Sequence, residues 1–158
     1  MNDIRFRPFQ AHDLDYMDLQ QAQRSVQRWL SREGYGEYLE EPELSWSAVA
    51  GDLVVGCAGI KPQWQGRAVA WSLIDRRMPR SAWVKITREV QRILQLAHDM
   101  GYRRIEATVL AGHGEGCRWM DVLGFKVEGK ATAYDPAGND HYLYARVAPC
   151  PALSEEAA

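Results

Sequence analysis

Four cations crowd one turn of this chain: Arg76, Arg77, Arg80 and Lys85. They lie where an apolar run, 68–74, gives way to an amphipathic run, 82–100. Positive charge beside a helix start is the chemistry of anion binding, because the first turn of a helix offers free N–H groups and the positive end of its dipole. Elsewhere, His113 stands in Gly112-His113-Gly114-Glu115-Gly116. It reads as a general base or substrate contact, or else as a solvated loop histidine. Tyr134, before an Asp-Pro turn, could reach a cleft from a hairpin or pack at a strand end. Cys117 sits on the apolar side of a short helical pattern and reads as core rather than as a nucleophile. His12, His98, His113 and His141 lack metal-ligand spacing, and the glycine-rich stretch has no Lys-Ser/Thr to make a nucleotide loop.

The elements that position these residues follow from periodicity. Residues 68–74 form an almost uncharged run of strand length. From 82 to 100, Trp83, Ile86, Val90, Ile93, Leu94 and Ala97 fall on one helical face, Ser81 is placed to cap that helix, and Gly101 is placed to end it. Residues 105–109 make a second strand, so strand, helix and strand form a βαβ crossover with parallel neighbours. Ligands gather at the carboxyl ends of such strands, which directs attention to residues 75–85. Residues 4–9 read as a first strand, 12–30 as a helix, 44–50 and 53–60 as a hairpin about Gly51-Asp52, and 61–66 as a loop. A short helix from 117 and strands at 125–128 and 141–147 complete the order. The expected architecture is α/β (α+β): one mixed sheet with a central parallel crossover flanked by helices.

At 158 residues the chain suits one domain, taken as 1–148 with a loosely ordered tail at 149–158. The hydrophobic fraction of 46% and charged fraction of 25% are those of a soluble globular protein, and no segment suits a membrane span or a signal peptide. A net charge of −2 argues against a dedicated nucleic-acid binder. Three cysteines without paired spacing fit reduced thiols in the cytoplasm.

The element order, with Gly101-Tyr102-Arg103-Arg104-Ile105 after the long helix and Val122-Leu123-Gly124-Phe125 after the short one, resembles the GNAT (GCN5-related N-acetyltransferase) superfamily. The opening Ile4-Arg5-Phe6-Arg7-Pro8 and the helix start near Asp13 resemble its usual N-terminus. GNAT-like proteins of tailed phages look most similar, since they share a weakened cofactor loop. The resemblance implies that acetyl-CoA is the co-substrate and that its pyrophosphate sits on a glycine-containing loop at the long helix. The matching stretch here is Arg80-Ser81-Ala82-Trp83-Val84-Lys85, which has no glycine. Arg80, Lys85 and free amides near Ala82 would hold the phosphates, and the backbone at Leu73 and Ile74 would orient the acyl arm. Glu40 and Glu41 fall on the expected acceptor side and would hold an amine, or else form a solvated helix end. Met120 stands where a proton-donating tyrosine is usual, which leaves His113 and Tyr134 as the catalytic candidates.

The expected activity is therefore transfer of an acetyl group to an amine on a small molecule or protein. The rival is a non-catalytic GNAT-like module for protein contacts, as in phage morphogenesis, with a second copy or another protein as its partner. A nucleic-acid-modifying enzyme using Arg76, Arg77 and Arg80 is the third option.

Overall fold

The computed structural model describes residues 3–149. Its seven strands are β1 (Ile4–Pro8), β2 (Ser45–Ala50), β3 (Leu53–Trp64), β4 (Arg67–Ile74), β5 (Arg104–Leu110), β6 (Lys126–Ala131) and β7 (His141–Val147). They form one sheet in the order β1-β2-β3-β4-β5-β7-β6. Every neighbouring pair is antiparallel except β4 and β5, which the crossover through a long helix makes parallel. The helices are α1 (Tyr35–Leu39), α2 (Trp83–Asp99) and α3 (Gly114–Val122). The mixed sheet with its central βαβ unit is as expected. Of the tail proposed for 149–158, all but Pro149 lies outside the described residues.

The apolar stripe of α2 explains its seat. Ile93, Leu94 and Ala97 are buried against Ile60, Ala68, Ile105 and Ala107 of the sheet, and α3 adds Met120 to the same core. Helix α2 stops at Gly101, whose φ of 103° lets Tyr102 N–H donate back to the Ala97 carbonyl at 3.1 Å. The opposite face of the sheet packs Leu14, Met17, Leu19, Leu30 and Leu39 against Cys57 and Leu73. Burial pushes the Cys57 thiol up to about 12, so it behaves as an inert core group.

Two expectations change. The helix expected over 12–30 is instead a pair of 3-10 segments, Ala11–Tyr16 and Gln21–Ser31. The break between them is a tertiary effect. Asp18 N–H donates to the Asp75 carboxylate and Gln20 N–H to the Ile74 carbonyl, both at 2.9 Å, so the backbone is drawn onto the end of β4. The loop expected over 61–66 is a continuation of β3, closed by a tight turn whose Gly66 has φ 83°.

Candidate functional site

Strands β4 and β5 pair at only three positions, Arg67 with Arg104, Ala68 with Ile105 and Val69 with Glu106. Glu106 receives Arg67 and Arg104 together, which pins the closed end. Beyond Val69 the strands diverge towards their carboxyl ends. A cavity of about 520 Å³ fills the opening. It is bounded by Trp83, Val90 and Trp119 on the α2–α3 side, and by Gln23, Val26 and Tyr35 from the other layer. Tyr134, Asp135 and His141 of the β6–β7 hairpin complete the wall. The cavity therefore passes through the sheet.

The polar groups facing this opening follow from the ladder. Asp75 N–H bonds the Val55 carbonyl and Leu73 stands opposite Cys57, so residues 71, 73 and 75 turn their backbone groups to β3. Residues 70, 72 and 74 turn theirs to the splay. Leu73 thus lines the cavity with its backbone groups turned to β3, a correction to the sequence expectation for it, while Ile74 is not among the lining residues and turns its backbone to the Gln23 carboxamide. That edge is not bare. The Gln23 carboxamide donates to the Ser72 carbonyl at 2.7 Å and accepts from Ile74 N–H at 2.9 Å, while the Ile74 carbonyl takes Gln20 N–H.

The helix start departs furthest from expectation. Residues 80–82 wind into a 3-10 turn in which Ala82 N–H donates to the Pro79 carbonyl and Trp83 N–H to the Arg80 carbonyl. Two of the amides expected to be free near Ala82 are therefore used. Ser81 is exposed and caps nothing, and Ala82 holds the N-cap position of α2. Trp83 meets Trp119 edge to face, with centroids 5.4 Å apart, and the Trp119 indole donates to Thr87 at 2.9 Å. The two indoles close the gap between α2 and α3. Val84 turns its side chain to the exterior. Lys85 turns to β1, bonding Asp3 at 2.9 Å and the Ile4 carbonyl. Arg76 pairs with Asp18. Arg77 clamps Asp75, whose carboxyl stays below the usual range despite burial. Among the described residues only Arg80 of this cation cluster lacks a partner. Two amides and three of the four cations expected to receive the diphosphate of acetyl-CoA are thus engaged within the protein.

The hairpin end is built differently. Asp135 is buried, and its carboxylate accepts from Ser25 Oγ at 2.9 Å, the N–H groups of Ala137 and Asn139, Asn139 Nδ2, and His141 Nε2 at 3.2 Å. Burial opposes its charge, but these donors hold the carboxyl far below the ordinary carboxylate range. His141 is thereby fixed on the cavity wall, and its Nδ1 has no partner. The Tyr134 ring leans on His141 at 4.9 Å and is half exposed. His113 precedes α3 and also lines the cavity, its ring folded so closely over Gly116 that a side chain there would strike it at 2.3 Å. Met120 is buried in the core beside it.

The structure thus brings His113, Tyr134, Leu73 and Trp83 to one cavity. It does not bring Glu40 or Glu41 there. Glu40 accepts from Ala11 N–H at 2.7 Å and Glu41 pairs with Lys61 at 3.2 Å, so both are spent on local structure. Gln23, Asp135 and His141 escaped the sequence reading. The only signal for the last two was the run Asp135-Pro136-Ala137-Gly138-Asn139-Asp140-His141, legible as a turn but silent on what the carboxylate would face. No group of three His, Cys, Asp or Glu residues among those described could hold a metal, and no described helix is long and apolar enough to cross a membrane.

No protein-family model and no curated protein matches the sequence. Solved structures do match. The ribosomal-protein-S18-alanine N-acetyltransferase from Escherichia coli is similar at TM-score 0.71 and 12% identity, over 99% of each chain. Ard1 from Thermoplasma volcanium is similar at TM-score 0.70 and 17% identity, over 93% of this chain and 99% of that one. An acetyltransferase of the GNAT family from Streptococcus pneumoniae gives TM-score 0.62 and 13% identity, over 93% of this chain and 100% of that one. The fold is that of the GNAT acetyltransferases. At such identities the likeness concerns the scaffold, and a scaffold hosts many chemistries.

Proposed function

We propose that this GNAT-fold chain is an N-acyltransferase, moving an acetyl group from a thioester donor to an amine. The observation that carries this reading is the cavity through the sheet where β4 and β5 part, open to the helix layer and to the hairpin layer. Two reactants entering from opposite faces meet inside it, and holding them together supplies much of the acceleration such a reaction needs. The nitrogen lone pair attacks the thioester carbonyl, the carbon–sulfur bond breaks, and the amine gives up one proton as the thiolate takes one. His113 and His141 are the imidazoles on the cavity wall able to carry that proton. The test is thiol release from acetyl-CoA across a panel of primary amines. Amine-dependent release that disappears when the splay is filled by Ala107→Trp supports the reading, and release insensitive to that change contradicts it.

A second reading, a non-catalytic GNAT-fold module for protein contacts, is favoured by two features: the spent amides of Ala82 and Trp83, and the Gln23 side chain on β4. It predicts no thiol release with any amine and no heat on mixing with any pantetheine compound.

A further inference from the structure

We infer that this chain recognises its thioester donor by the amide-bearing arm alone and takes no grip on a nucleotide diphosphate. The inference rests on the acyl-transfer reading above and names the donor that reading requires. Three independent observations point the same way. Two backbone donors of the helix start are closed on the preceding turn, Ala82 N–H on the Pro79 carbonyl and Trp83 N–H on the Arg80 carbonyl. The neighbouring cations are committed elsewhere: Lys85 to Asp3 and the Ile4 carbonyl, Arg76 to Asp18, Arg77 to Asp75. The passage between α2 and α3 is occupied by the Trp83–Trp119 pair. A dianionic diphosphate needs charge-assisted hydrogen bonds from a preformed nest. Of the four cations at this turn, Arg80 alone has no carboxylate partner among the described residues.

The strand edge behaves in the opposite way. Ser72 C=O and Ile74 N–H already hold an amide, the carboxamide of Gln23, through one accepted and one donated hydrogen bond. A ligand amide presents the same donor and acceptor pair, as an added strand does. The donor class assigned is therefore a pantetheine-type thioester, with Gln23 as the group it must displace. That arm reaches proteins free, on CoA, or on a carrier protein.

Calorimetric titration of the full chain with pantetheine, CoA and adenosine 3′,5′-bisphosphate tests this without knowledge of the acceptor. Pantetheine and CoA are expected to bind within about threefold of one another, and the bisphosphate to displace neither. Gln23→Ala is expected to tighten both by about tenfold and leave their ratio unchanged, since two intramolecular hydrogen bonds no longer compete. Trp83→Gly is expected to shift the ratio towards CoA. A carrier protein bearing phosphopantetheine is the last titrant. Tighter binding than that of free pantetheine names the carrier as the source, and parity names the free arm; both uphold the inference. CoA binding about a hundredfold tighter than pantetheine, or displacement by the bisphosphate, overturns it. If neither thiol binds the wild type or Gln23→Ala, the acyl-transfer reading itself falls, a distinct result.

Discussion

The two ends of the splay satisfy their polar groups in opposite directions. At the start of α2 two backbone donors fold back into a 3-10 turn, and three of the four nearby cations pair with carboxylates. At the β6–β7 hairpin a buried carboxylate gathers five donors, one of them Nε2 of His141, whose other ring nitrogen is buried without a partner. A polar group turned inward stabilises the fold and is lost to a ligand. One held rigid at a cavity is ready for chemistry, because its orientation is already fixed. On the acyl-transfer proposal, this difference would put the proton-carrying groups on the hairpin side and leave the donor's distal end loosely recognised.

The sharpest way to break this contrast is at Asp135. Asp135→Ala strands the donors of Ser25, Asn139 and His141 in a poorly hydrated site, and we expect a loss of about 3 kcal/mol in urea unfolding. A loss below about 0.5 kcal/mol, the size of an ordinary surface change, would show the hairpin to be no more organised than the helix start. The same carboxylate sets a pH dependence. Its folded pKa lies below the unfolded value, so its stabilisation is fully present above the ordinary carboxylate range and is lost as pH falls through that range and below. Asp135→Asn should flatten the acid limb of stability against pH.

His141→Gln and His113→Asn come next, because they ask which imidazole carries the proton. The one that does should lose about a hundredfold in kcat with stability nearly unchanged, and the other only a few-fold. Equal small effects would leave positioning alone as the source of rate. The smallest effect is expected from Arg80→Ala, under about threefold in CoA affinity, since an exposed and unsupported cation contributes little. A loss above tenfold would mean that the helix start does grip phosphate.

The sheet was legible in the sequence because its determinants are local. The period of α2, the Gly101 cap and the Gly51-Asp52 turn each announce themselves within a few residues. The N-terminal segment was less so. Its helical spacing at Leu14, Met17 and Val26 is real, but bonds from Asp18 and Gln20 to the end of β4 break the helix, and those partners lie more than fifty residues away. The site was legible only in outline. His113 and Tyr134 were found from glycine and turn context, and the missing glycine at Trp83 was visible against the loop pattern of the family the chain resembles. That the chain spends its own amides there, and that Gln23 lies on β4, depends on side-chain hydrogen bonds that no periodicity encodes. Glu40 and Glu41 misled for the same reason: adjacency in sequence says nothing of the Ala11 amide and Lys61 ammonium that absorb them.

The donor's arm is proposed to lie along the splayed edge of β4. Backbone and side-chain amide spectra of ¹⁵N-labelled protein, followed as pantetheine is added, test that most directly. We expect the Ile74 amide and the Gln23 carboxamide to shift together with one saturation curve, the Gln23 signals moving towards those of a solvated side chain. Shifts confined to the exterior of the sheet, with Ile74 and Gln23 unmoved at saturation, would contradict it.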